Sequence, residues 1–170
     1  MINAAKNAPT EPPTCIYQND TTVTVNNMRK QLFQYCYRWI YKNLDVSTAS
    51  PVSKLALPDN FSDVDTQNDP NDNNNVRITF ATGGKDFQSV EILGRASEGN
   101  EYGDWFSITT LNRDDYGYNE DTDYTFDFYN DGVYAGVLLT TADQTFSYLP
   151  DKANSLELLR GNTIISGCVS

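Results

Sequence analysis

Carboxylates are the most abundant side chains here that could do chemistry, and they gather in two places. The run Asp63-Val64-Asp65-Thr66-Gln67-Asn68-Asp69 alternates oxygen ligands as a calcium loop does. An EF-hand also needs glycine at its sixth position and a bidentate glutamate at its twelfth. Those positions hold Asn68 and Asn74, so the EF-hand reading fails, and a solvated linker is favoured over loose calcium binding. The second gathering is Asp114, Asp115, Glu120, Asp121 and Asp123, next to Tyr116 and Tyr118. Paired carboxylates hydrolyse glycosides when they flank the scissile bond. Aromatic rings beside acids also hold sugars by stacking. Tyr102, Trp105, Tyr116 and Tyr118, all expected in loops, are therefore the candidate ligand or partner contacts. An exposed acidic hairpin loop is the plainer reading and the favoured one.

Other chemistries lack their residues. The chain has no histidine, which removes histidine-dependent triads and the commonest transition-metal ligand. Cys15, Cys36 and Cys168 are odd in number and form no C-x-x-C pair, so they read as free thiols of a protein folded in a reducing cytoplasm. Cys36 lies in an apolar strand with no histidine to activate it as a nucleophile. Gly83-Gly84-Lys85 lacks the rest of a phosphate-binding loop. The expectation is no catalytic residue, no cofactor and no metal.

Charge points the same way. Twelve basic against 23 acidic residues give a net charge of −11 and an isoelectric point near 4.2. Nucleic acid and anionic lipid both want a basic face, so neither is expected as a partner. No signal peptide or apolar membrane span is evident.

The elements that must position these residues are strands. In Leu32–Tyr41 the residues Phe33, Tyr35, Tyr37, Trp39 and Tyr41 alternate with a mixed set, Leu32, Gln34, Cys36, Arg38 and Ile40. Successive strand side chains point to opposite faces, so five aromatics line one face that a second sheet must cover. Tyr37 and Trp39 are expected in the core. Asn43-Leu44-Asp45 reads as a turn, and Pro51 makes Ser47–Ser53 an edge segment or bulge. Before this, residues 1–20 read as an extended arm with Pro9, Pro12 and Pro13, and Thr21–Val25 as a short strand. After it, residues 59–75 are too polar to order themselves and read as a mobile loop. Further strands are expected at Val76–Ala81, Phe87–Ala96, Trp105–Leu111, Tyr124–Phe128, Tyr134–Thr140 and Thr163–Ile165. Asn130-Asp131-Gly132 reads as a hairpin turn. Leu156–Arg160 reads as a helical turn or a strand. Seven to nine short strands in 170 residues predict one all-β domain, a β-sandwich.

The alternating strand, its turn and Ser-x-x-Ser-Pro-x-Ser resemble the last two strands of a fibronectin type III-like domain. The fuller wording, Leu32 through Tyr41 followed by Ser47-Thr48-Ala49-Ser50-Pro51-Val52-Ser53-Lys54, is similar to a segment of the tail "stabilization" proteins of crAss-like podoviruses. Val90–Arg95, Tyr124–Gly132 and Glu157–Asn162 with Gly167 follow in the expected order. The resemblance implies an immunoglobulin/fibronectin III-like sandwich with permuted strand order, because the final pair comes first. It implies a structural virion protein of a bacteriophage tail, building or stabilising the tail tube or nozzle. It further implies a fragment of a larger protein, a homo-oligomeric ring, other virion proteins as partners, and assembly in the host cytoplasm. A carbohydrate-binding or adhesion module is the alternative.

Overall fold

A computed structural model describes residues 7–29, 31–58, 73–98 and 101–137, together with strands 152–159 and 162–169. Two antiparallel sheets face each other. The first has the order β1-β3-β7, made by β1 (Thr14–Gln18), β3 (Asn75–Ala81) and β7 (Asp123–Phe128). The second has the order β2-β4-β6-β8, made by β2 (Leu32–Tyr41), β4 (Phe87–Glu98), β6 (Phe106–Asn112) and β8 (Ala135–Gly136). The short β5 (Glu101–Tyr102) folds back on the end of β4. A separate antiparallel hairpin joins β9 (Lys152–Leu159) to β10 (Asn162–Val169). The chain is thus an all-β sandwich, as its strand pattern predicts.

The aromatic face of β2 builds the core. Phe33, Tyr35 and Tyr37 are buried with Val90, Ile92 and Leu111 of their own sheet against Tyr17, Val76, Ile78, Phe80 and Phe128 of the other. Phe33 meets Phe128 edge-on at 5.4 Å and Phe106 at 6.3 Å, a geometry that the ring quadrupoles favour. Gly94 lies opposite Tyr35, and a Cβ there would sit 2.9 Å from Ile108 Cδ1 and 3.1 Å from the Phe106 ring. The close ring packing therefore requires glycine at this position. Tyr37 is buried as expected, but Trp39 is only half-buried. It lies at the rim of the core, where its indole N–H donates to the Ala81 carbonyl at 3.0 Å.

The segment after the turn covers the outer edge of β2. The N–H groups of Ser47, Ser50 and Ser53 donate to the carbonyls of Trp39, Tyr37 and Tyr35 at 2.9, 2.7 and 2.8 Å. The N–H groups of the same three β2 residues donate to the three serine hydroxyls at 2.9, 3.1 and 2.9 Å. Three residues of the segment thus match two of the strand, and a side-chain oxygen replaces the backbone acceptor. The Ser47 and Ser50 hydroxyls also donate, to the carbonyls of Thr48 and Pro51. Pro51 sits at a position whose N–H the ladder does not use, which is why it is tolerated. The edge segment expected at Ser47–Ser53 is present, and its Ser-x-x-Ser-x-x-Ser spacing is the reason.

Several expectations need correction. The strand expected at Thr21–Val25 lies earlier, as β1 within the supposed arm, because Thr14–Gln18 pairs residue by residue with Asn75–Thr79. Pro9 and Pro13 of that arm are buried, and the Tyr41 hydroxyl donates to the Asn7 carbonyl. Residues 59–72 of the expected mobile loop lie outside the described residues, as does the calcium-like run. Asn74 and Asn75 at its end are buried instead. The Asn74 side chain accepts the Asp20 N–H at 2.8 Å and donates to the Asp20 and Val23 carbonyls, so tertiary hydrogen bonds fix a polar residue. Asn130-Asp131-Gly132 is not a hairpin turn. Asn130 has φ 53°, and the chain crosses to the other sheet, where β8 pairs with β6 rather than β7. The Tyr134 ring directs the crossing by stacking on Phe106 at 5.1 Å and packing against Phe128 at 5.7 Å. The return strand is accordingly two residues long among the described residues. Leu156–Leu159 is strand, the second of the two readings left open for it.

Candidate functional site

Two surfaces carry the candidate residues, at opposite ends of β4. Near its start, the expected acidic loop contains α1 (Arg113–Tyr116), a single turn. Its Asn112 N-cap accepts the Asp114 N–H at 3.1 Å, and Gly117 ends it with φ 65°. The αL conformation and the freed C-terminal carbonyl both suit glycine. The turn directs Tyr116 outward, 58% exposed, while Tyr118 is buried. The two rings stack at 5.3 Å, and Tyr118 continues to Tyr124 at 4.2 Å and Phe80 at 6.0 Å. Tyr118 is therefore a core residue, which corrects its placement as an exposed loop contact. Its expected neighbour Tyr116 presents one ring face to solvent.

Two carboxylates around this stack make side-chain bonds within the fold. Glu120 pairs with Arg113 at 3.2 Å, and Asp114 accepts from Gln88 at 3.3 Å. Among the described residues no group of three potential metal ligands occurs.

At the far end of β4, Tyr102 and Trp105 flank Arg95. The Arg95 guanidinium lies 4.4 Å from the Tyr102 ring centroid and 4.7 Å from that of Trp105. Its Nε and Nη2 both donate to Gln34 Oε1, at 3.1 and 2.9 Å. Cation–π contacts of this kind contribute about 0.5–2 kcal/mol each. Trp105 is only 1% exposed, in a second cluster with Cys36, Ala49 and Leu93 flanked by Val52 and Val137. Its expected role as a loop contact is thus corrected: it supports the sheet's outer face. Tyr102 is on β5 rather than in a loop, and is 48% exposed.

Between these ends the outer face of the second sheet carries a polar row. Arg38 Nε donates to Glu91 Oε2 at 2.6 Å, with side chains only 11% and 12% exposed. Glu91 Oε1 also accepts from the Ser107 hydroxyl at 2.8 Å. Sequence reading placed Arg38 and Gln34 on the mixed face of their strand but missed that Arg38 pairs with Glu91 and Gln34 with Arg95. The missing signal was register: Gln34 opposes Arg95 and Arg38 opposes Glu91 only once β2 and β4 are aligned.

Burial also sets the titration of groups near the first edge of the sandwich. It pushes the Cys15 thiol up from 9.0 to about 12, although a hydrogen bond with Ser53 lowers it in part. Burial likewise raises Tyr17 and Tyr35 above the usual 10.0. A folded-state value above the unfolded one means stability is complete below the unfolded value and falls as pH rises through the folded one. Urea midpoints should therefore be flat near neutrality and fall steadily from about pH 9 to pH 12. A midpoint at pH 11 equal to that at pH 8 would contradict this burial.

The fold and these surfaces define an all-β sandwich that exposes Tyr102 and Tyr116 and pairs the polar residues of its outer face internally. Among the described residues no helix is long and apolar enough to cross a membrane. No protein-family model matches the chain, and no curated protein or solved structure matches it significantly.

Proposed function

We propose that this chain is a structural module that acts by protein–protein contact, in a bacteriophage tail. The reading rests first on the resemblance of its segments to the tail "stabilization" proteins of crAss-like podoviruses. The observation that carries it is where those segments fall. Residues 32–41 and 47–54 are β2 and its serine-bonded edge, 90–95 lie within β4, and 124–132 are β7 and the crossing turn. Residues 157–159 end β9 and Asn162 begins β10. All of them are framework residues, which suits a protein whose task is to hold shape. The β2 edge with its serine segment also supports a fibronectin III-like sandwich of permuted order. The larger assembly would be a homo-oligomeric ring in contact with other virion proteins.

Mass spectrometry of virions purified from the source of the gene tests this reading. Peptides from this chain should appear in stoichiometric amounts. Their absence from intact particles would defeat the proposal.

Carbohydrate binding is a second reading, favoured by the open ring faces of Tyr102 and Tyr116. It requires glycan-array signal that disappears in Tyr102→Ala or Tyr116→Ala. An array without signal leaves only the structural reading.

A further inference from the structure

β7 ends the first sheet and pairs on one side only, with β3. Its ladder runs for 6 residues without the register shifts that interrupt β2–β4 and β4–β6. Just past this ladder the Thr82 N–H donates to the Thr122 carbonyl at 2.9 Å. Bonded and non-bonded pairs alternate along an antiparallel ladder, so it is Tyr124, Phe126 and Phe128 that bond to β3. The N–H and C=O groups of Asp123, Thr125 and Asp127 point away from it. Among the described residues none of these groups has a backbone partner on that side. Two other sheet edges are protected. The serine segment covers β2, and β1 follows Pro12 and Pro13, which have no N–H to offer. β7 has neither device.

The side chains of β7 are incompletely covered as well. Tyr124 and Phe126 face the core but are only partly buried, whereas Val76, Ile78 and Phe80, one strand further in, are at most 1% exposed. On the outer face Asp127 accepts from Arg77 Nε and Nη2 at 2.7 and 2.8 Å. Asp123 is exposed and makes no ion pair among the described residues, and exposed Asp121 stands just before it.

We propose that the outer edge of β7 docks an extended segment of another protein, which joins the sheet as an added strand and alternates apolar with basic side chains. An unpaired edge is a template for such a strand, held by main-chain bonds and selected by its alternate side chains. The apolar residues would lie beside Tyr124 and Phe126 and complete their burial. The basic residues would meet Asp123 on the outer face. A second copy suits the edge less well, because the chain has a net charge of −11 and two paired β7 strands would bring their aspartates together. Such docking rests on the reading of the chain as a protein-contact module and not on the virion, so the experiment below and the virion measurement can fail separately.

Hydrogen exchange on the whole chain tests the edge. In the free protein the Thr125 and Asp127 amides should exchange fast, and those of Tyr124 and Phe126 slowly. A synthetic peptide of alternating lysine and valine is the probe. At about tenfold its Kd it should slow the Asp123, Thr125 and Asp127 amides about tenfold, because only the unbound fraction exchanges. The same peptide with every backbone nitrogen methylated keeps its charges but cannot join a ladder, and should protect nothing. Asp123→Asn should weaken the unmodified peptide about two- to fivefold, the worth of one exposed ion pair. Equal protection of Thr125 and Phe126 in the free monomer, equal effects of the two peptides, no protection from either, or unchanged affinity in Asp123→Asn would overturn the proposal. So would protection that grows with protein concentration alone, which would give the edge to a second copy.

Discussion

Replacing Phe33 by alanine is expected to destabilise the protein by about 3–5 kcal/mol, the range for truncating a core aromatic. Phe33 is 1% exposed and touches rings from both sheets: Tyr35 beside it, Phe106 on β6 and Phe128 on β7. Its removal leaves a cavity that these rings cannot refill without leaving their own contacts. Domains of this size have only about 5–15 kcal/mol of net stability, so the variant would sit near the unfolding limit. Trp39→Ala on the same strand face should cost less, because Trp39 is half-buried at the rim. Urea melts of both variants check the order. A Phe33→Ala loss below about 1 kcal/mol, the range of surface changes, would place Phe33 outside the core.

The second large effect is expected at the serine edge. Ser50→Ala removes the acceptor of the buried Tyr37 N–H and should cost about 1–3 kcal/mol, the penalty for an orphaned buried donor. The hydroxyl's own donation to the Pro51 carbonyl is lost with it. The Ser50 backbone bond to Tyr37 remains, so the segment stays in place and the effect isolates the side chain. Hydrogen exchange should show the Tyr37 amide losing protection while Val90 and Ile92, in the next strand, keep theirs. Thr48→Ala, at a position whose side chain the edge ladder does not use, is the control and should stay within about 0.5 kcal/mol of the parent. Equal losses for Ser50→Ala and Thr48→Ala would show that the hydroxyl ladder does not carry the edge.

Both effects were partly legible before the fold was known, and the difference between them is instructive. The aromatic alternation in Phe33–Tyr41 has a period of two, and only a strand turns that period into one face. Composition and alternation within a single strand therefore determined the all-β class and the buried face of β2. Pro51 likewise marked an edge, because it has no N–H to give. The period-three serines were visible too, but their role was not, since it depends on which β2 groups they meet.

What the tertiary structure alone decided concerns contacts between segments far apart in sequence. Asn-Asp-Gly favours a tight turn locally, yet the stacking of Tyr134 on Phe106 and Phe128 carries the chain to the other sheet. Tyr118 and Trp105 look like loop aromatics by their polar neighbours, yet Phe80 and Tyr124 bury one and Leu93 and Ala49 bury the other. Arg95 and Glu91 look like unrelated surface charges until β2 lies beside β4 and supplies Gln34 and Arg38. Sequence determines which face of a strand is apolar, because that face is set by neighbouring residues. It does not determine which strands meet, because that choice is made by burial and hydrogen bonding summed over the whole chain.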